Sequence, residues 1–172
     1  MSDLPPTAPE PAPAPRLRRA RLLRRIGLAF VTPIVLCGAI GLFGIRTKTV
    51  SAAAGPYTMT LQYPWTDRLD QPAHWLLTVR REGGFSGPVD IAITQSYLDI
   101  LDVNGLQPDP SSTSNSGPFV VWTFDPPDGD TLRVLLDANI GLNTHFGAAA
   151  EVAVLEHGVP VVSVHYRTWV AP

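Results

Sequence analysis

Asp125, Asp128 and Asp130 fall within one Pro/Gly stretch. Clustered carboxylates supply the hard oxygen donors that a cation such as Ca²⁺ requires. The three are too few for a calcium cage, their spacing does not match an EF-hand loop, and Asp-Gly is ordinary turn chemistry. They are the candidates for a metal site, and no metal is assigned. His74, His145, His157 and His165 lack the tight spacing of a zinc site. Gly84-Phe85-Ser86-Gly87-Pro88 begins like a nucleophile elbow, but Pro88 stands where the last glycine belongs, and the stretch lies between strands. Trp65, Trp75, Trp122 and Trp169 contain the material for an aromatic sugar platform. Trp122 sits in mid-strand and reads as core, so Trp65, which follows Pro64, is the candidate ligand-binding residue. These residues assemble no catalytic site and no cofactor signature. The expectation is a protein that is not an enzyme and takes no cofactor.

The elements that would position such residues are strands. Tyr57-Thr58-Met59-Thr60-Leu61-Gln62-Tyr63 alternates strictly, with Tyr57, Met59, Leu61 and Tyr63 on one face. Similar runs recur at 75–81, 89–94, 97–103, 119–124, 132–138, 150–155 and 159–170. Turn signals separate them: Gly83-Gly84, Gly87-Pro88, Asn104-Gly105, 126–130 and His157-Gly158. No stretch of this region carries a sustained 3.6-residue period. About seven to eight short antiparallel strands predict an all-β sandwich over 57–172, with a barrel as the less favoured closure. A domain of this size buries roughly 65% of its unfolded surface and folds without staples. The polar connection from Gln107 to Pro118 reads as a mobile loop.

The N-terminal third is different. Residues 1–15 alternate proline with Ala, Thr and Glu, a composition that cannot bury a core and samples extended conformations. Together with the arginines that follow, 1–25 reads as a disordered cytoplasmic tail. Ile26 to Ile45 are twenty uncharged positions, eleven of them Leu, Ile, Val or Phe. As a helix such a run spans about 30 Å, the hydrocarbon thickness of a bilayer, and it predicts a transmembrane helix over 26–45. Six arginines (16, 18, 19, 21, 24 and 25) precede it, and only Arg46 and Lys48 follow closely. That asymmetry places the N-terminus in the cytoplasm and the C-terminal domain outside it. Ala52-Ala53-Ala54 as a cleavage site, Cys37 as a lipidation site and Arg24-Arg25 as an export signal are competing readings. Each conflicts with the length of the apolar run or with its flanking residues, so an uncleaved single-pass anchor is preferred. Ala29, Pro33, Cys37 and Gly41 form a small-residue stripe suited to self-association of helices. Residues 46–56 then read as a linker.

Charge constrains the partners. From Pro56 onward thirteen Asp and Glu face five Arg and no Lys. Such a domain is repelled by nucleic acid and by anionic lipid, and it favours a basic partner or simple solubility. Cys37 is the single cysteine, so the exported domain has no disulfide.

Trp122-Thr123-Phe124, the Asp128-Gly129-Asp130 turn, Leu132-Arg133-Val134 and the closing hairpin through Val162 and Val164 resemble bacterial extracytoplasmic immunoglobulin-like domains. The resemblance covers about 57–172 and implies adhesion, scaffolding or accessory-subunit roles. The expected function is therefore a membrane-anchored interaction or accessory protein that presents this domain to an envelope protein. The alternative is a surface-tethered module that binds carbohydrate or a cation.

Overall fold

The computed structural model describes residues 14–39, 46–141 and 147–171. They divide into two compact units, one within residues 1–44 and one within 45–172.

The N-terminal unit contains helix α1, Ala14–Ala39. Pro15 suits its first turn, where no backbone donor is needed, and Pro33 lies in its interior. The helix begins inside the segment expected to be a disordered tail and contains all six arginines as well as the first part of the apolar run. Among the described residues, no helix is long and apolar enough to cross a membrane. The transmembrane helix expected over 26–45 is therefore unsupported: the described helix shares its length with the arginine cluster, and 40–45 lie outside the described residues.

The second unit is mostly strand: β1 (Arg46–Ala54), β2 (Tyr57–Arg68), β3 (Trp75–Arg81), β4 (Val89–Thr94), β5 (Leu101–Gln107), β6 (Ser112–Ser116), β7 (Phe119–Phe124), β8 (Thr131–Ile140), β9 (Ala148–Glu156) and β10 (Val159–Ala171). A single-turn helix, α2 (Gln95–Leu98), interrupts the series. The all-β expectation holds, and the alternation in the sequence explains why. In β8 the residues Leu132, Val134, Leu136, Ala138 and Ile140 are all buried, whereas Arg133, Leu135 and Asp137 are exposed.

The strands form one curled sheet in the order β5-β8-β3-β2-β10-β9-β4-β7-β6, with β1 also paired to β2. β10 makes the curl. It runs antiparallel to β9 from Val159 to Thr168, then parallel to β2 from Trp169 to Ala171. The two halves enclose one core. Met59, Leu61, Trp75, Leu77 and Val134 come from one half; Ile91, Ile93, Phe124, Val152 and Val164 come from the other. Trp75 of β3 meets Trp122 of β7 edge-on, with centroids 6.5 Å apart. Each fully buried aliphatic side chain here stabilises the fold by about 1.5–3 kcal/mol relative to exposure.

Three local expectations change. Residues 46–54, expected within a linker, form β1 because Val50 and Ala52 find partly buried positions against the core in register with β2. The Ser/Thr-rich connection expected to be mobile contains β6, paired to β7 around a turn in which Gly117 takes φ +57°. The run at 97–103 splits into α2 and β5. Asn104-Gly105 lies within β5 at a register shift rather than in a hairpin turn.

Candidate functional site

β2, β3 and the β9–β10 turn converge on a cleft of about 570 Å³ whose lining includes Tyr57, Arg81, Phe85, Ser86, Asp90 and Glu156. Each comes from a place where the backbone turns or an edge is reached. Gly83 and Gly84 adopt φ of +85° and +79° after β3 and carry the chain back toward Phe85. His157 at φ +52° and Gly158 at φ +79° close the hairpin beside Glu156.

Tyr57 links the charges of this cleft. Its hydroxyl donates to Glu156 Oε1 at 2.5 Å, and the Arg81 guanidinium lies over its ring, 5.6 Å from the centroid. Burial raises the Tyr57 pKa above the ordinary phenol value, and the bond to Glu156 adds to the rise against the pull of Arg81. Arg81 Nη1 donates to the Gly84 carbonyl at 2.5 Å, which fixes the guanidinium in place. Its Nε–H is buried and has no hydrogen-bond partner among the described residues. On the same wall, Asp90 Oδ1 accepts from the Thr123 hydroxyl at 2.7 Å. The arrangement therefore offers a cation on the cleft wall beside a carboxylate engaged by a phenol. That chemistry suits a carboxylate-bearing group approaching Arg81.

A second polar cluster lies inside the core where β10 changes partners. Tyr97 and Thr168 share a hydroxyl–hydroxyl bond of 3.0 Å, and Trp75 Nε1 donates to the Tyr166 hydroxyl at 3.0 Å. The rings of Tyr63 and Tyr97 lie 4.7 and 5.0 Å from that of Tyr166. Burial pushes the Tyr97 phenol up to about 12. Asp67 is fully buried; its Oδ1 accepts the Arg68 backbone N–H at 2.8 Å, and its Oδ2 has no hydrogen-bond partner among the described residues. Desolvation raises the Asp67 pKa, against the Arg68 amide and the His74 charge.

The residues singled out from sequence lie elsewhere. Asp130 is held by Arg80 Nε at 2.8 Å on one oxygen and by the Thr131 hydroxyl at 2.7 Å on the other. Those bonds hold its carboxyl below the usual range. Asp125 and Asp128 do not join it: among the described residues no group of three or more His, Cys, Asp or Glu is placed to hold a metal ion. Trp65 is partly buried against the core and carries Lys48 Nζ over its ring at 3.5 Å, so one face of the indole is already covered. Ser86 lines the cleft, and His165 lies 3.8 Å from Glu151. His145 lies outside the described residues.

Sequence reasoning missed Arg81, Tyr57 and Glu156 as a group because they stand far apart in the chain. It also missed Asp67, although continuing the alternation of Tyr57, Met59, Leu61 and Tyr63 to position 67 places a carboxylate on the buried face.

No family model matches the chain, and neither does any curated protein. Among solved structures it is similar to the alkylpurine DNA glycosylase AlkC of Pseudomonas fluorescens, bound to DNA containing an abasic site analog. The identity is 13% and the TM-score 0.30, with 74% of this chain and 32% of that one covered. The present chain thus spans about a third of the length of that protein. That neighbour is an enzyme, and the expectation of a protein without catalytic activity is withdrawn on this finding. A TM-score of 0.30 assigns neither a fold nor an activity.

Proposed function

We propose that the chain is a membrane-tethered recognition protein whose immunoglobulin-like domain presents the Arg81 cleft to a protein partner in the cell envelope. The observation that carries this reading is Arg81 itself. A guanidinium fixed by Gly84 on the wall of an open cleft is most stable when a carboxylate completes it. A carboxylate side chain of a partner protein supplies that group.

The tether rests on the surface of α1. Leu22, Leu23, Ile26, Leu28, Phe30, Val31, Ile34, Val35 and Leu36 are all exposed, so the helix is apolar around its circumference beyond the arginines. A helix of that kind is stable in an apolar surrounding rather than in water. The uncharged sequence continues beyond the described helix to Ile45, which brings the run to spanning length. The arginines on its N-terminal side favour a cytoplasmic N-terminus. The immunoglobulin-like reading draws support from two halves of a curled sheet turning their apolar faces onto one core, closed by the β9–β10 hairpin.

The test uses the full chain in native membranes, with a photocrosslinking group attached at Ser86. The expected result is retention in the membrane pellet after a carbonate wash, together with a single crosslinked envelope protein that is lost in Arg81→Gln. Release by carbonate overturns the tether. A crosslinking pattern indifferent to Arg81→Gln overturns the cleft.

A further inference from the structure

The acidic balance of the domain conceals an uneven distribution. From Arg46 onward the chain has seven Lys and Arg. Four of them gather where β1 begins and where β2 and β10 end. Arg46 is in register with Thr66, and Thr66 is in register with Trp169. Lys48 follows Arg46, Arg68 follows Thr66 by two residues, and Arg167 precedes Trp169 by two. All four side chains are exposed.

Two tryptophans stand among these cations. Lys48 Nζ lies 3.5 Å from the Trp65 ring centroid, and the Arg167 guanidinium lies 5.3 Å from that of Trp169. Trp169 is 45% exposed, a large apolar ring on the face opposite the buried Val162, Val164, Tyr166, Thr168 and Val170. Arg46 and Arg68 have interactions of their own within the chain, and Lys48 and Arg167 lie against the indoles. Asp67 is buried, Glu151 faces His165 at 3.8 Å, and Asp70 in the turn after β2 is the exposed acid nearest to Arg68 in the chain.

We infer that this end of the domain is a docking face for anionic lipid headgroups. The inference rests on the membrane-tether reading, because Arg46 directly follows the apolar run in the sequence. Indoles settle at the headgroup level, where an apolar ring and a polar N–H are both satisfied, and adjacent Lys and Arg are drawn to anionic lipid. The attraction acts within a Debye length, about 10 Å at 0.1 M salt, so a tethered face stays within its range while the acidic remainder of the domain does not dominate it. This revises the conclusion drawn from net charge, which predicts repulsion from an anionic surface. Net charge averages over a domain four of whose seven cations stand at one end.

The test uses the full chain reconstituted into liposomes of phosphatidylcholine, with or without phosphatidylglycerol, each carrying brominated lipid as a quencher of indole fluorescence. Trp75 and Trp122 are buried and set a constant background. Quenching of the remaining emission is expected in phosphatidylglycerol liposomes. It should be lost at high salt and in the Lys48→Gln/Arg167→Gln double variant, whose substituted side chains are exposed. Flotation separates the two levels of failure. A chain that does not float with liposomes overturns the tether and this inference with it. A chain that floats but whose emission is quenched equally in both lipids, or in neither, overturns the docking face alone.

Discussion

Trp75 Nε1 donates a hydrogen bond to the Tyr166 hydroxyl at 3.0 Å inside the core, joining residues 91 positions apart in the chain. β3 and β10 are not neighbours in the sheet, so this bond crosses the core between the two halves of the curl rather than running along a ladder. Tyr166 also packs against Tyr63 and Tyr97, and its phenol is held well above the ordinary pKa, chiefly by burial.

Tyr166→Phe therefore leaves the Trp75 N–H buried without an acceptor while preserving the ring contacts. Removing one partner of a buried bond costs about 1–3 kcal/mol. Urea unfolding of the full chain should show the transition midpoint lowered with the slope unchanged. An unchanged midpoint would mean that the indole N–H finds another acceptor and that the bond is dispensable.

The strands were legible wherever period two met a single buried face. The ranges expected for β3, β4 and β7 coincide with those observed, and β8, β9 and β10 differ only at their ends. What escaped was set by partners distant in sequence. β1 shows little apolar alternation of its own and exists because β2 offers it a register; β6 is five exposed polar residues ordered by β7. The cleft was illegible for the same reason, since Tyr57, Arg81 and Glu156 meet only through pairing. The three aspartates after β7 misled in the opposite direction. They are close in sequence, but Asp130 turns to Arg80 and Thr131.

Gly147 stands at φ +129°, and a Cβ there would lie 2.9 Å from the Thr168 carbonyl oxygen and 3.3 Å from the Trp169 ring. Both the conformation and the space demand glycine. Gly147→Ala should destabilise the domain by about 1–3 kcal/mol, the usual cost of a residue forced into a sparsely populated region. Gly158 also has a positive φ, but a Cβ there meets nothing within 4 Å. Gly158→Asn, which tolerates left-handed backbone, should be nearly silent. Thermal melts of the two variants side by side check this, and equal losses would show that the crowding at Thr168 is relieved without cost.

The Arg80–Asp130 pair predicts little effect. The two side chains are 63% and 44% exposed, and ion pairs in that setting are screened by water and salt. Arg80→Gln should leave the melting temperature at moderate salt unchanged. A clear loss would show that Arg80 orders the turn before β8 through more than its charge.

Asp67 yields the prediction with a direction in pH. Its side chain is wholly buried, one oxygen has no hydrogen-bond partner among the described residues, and desolvation raises its pKa in the folded chain. Below the unfolded value, about 3.9, the carboxyl is neutral in both states and its contribution to stability is fully present. As pH rises the unfolded chain gives up the proton first, so this contribution declines until the folded pKa is passed and is flat thereafter. Asp67→Asn keeps the shape and cannot ionise. Its melting temperature should match or fall below that of the wild type at pH 3, then exceed it by a margin that grows with pH and levels off. Taking the difference between the two proteins at each pH removes the carboxylates they share, Asp130 included, whose lowered pKa acts in the opposite sense. A difference that stays constant from pH 3 to pH 9 would show that Asp67 is ionised in the fold and that its second oxygen is satisfied after all.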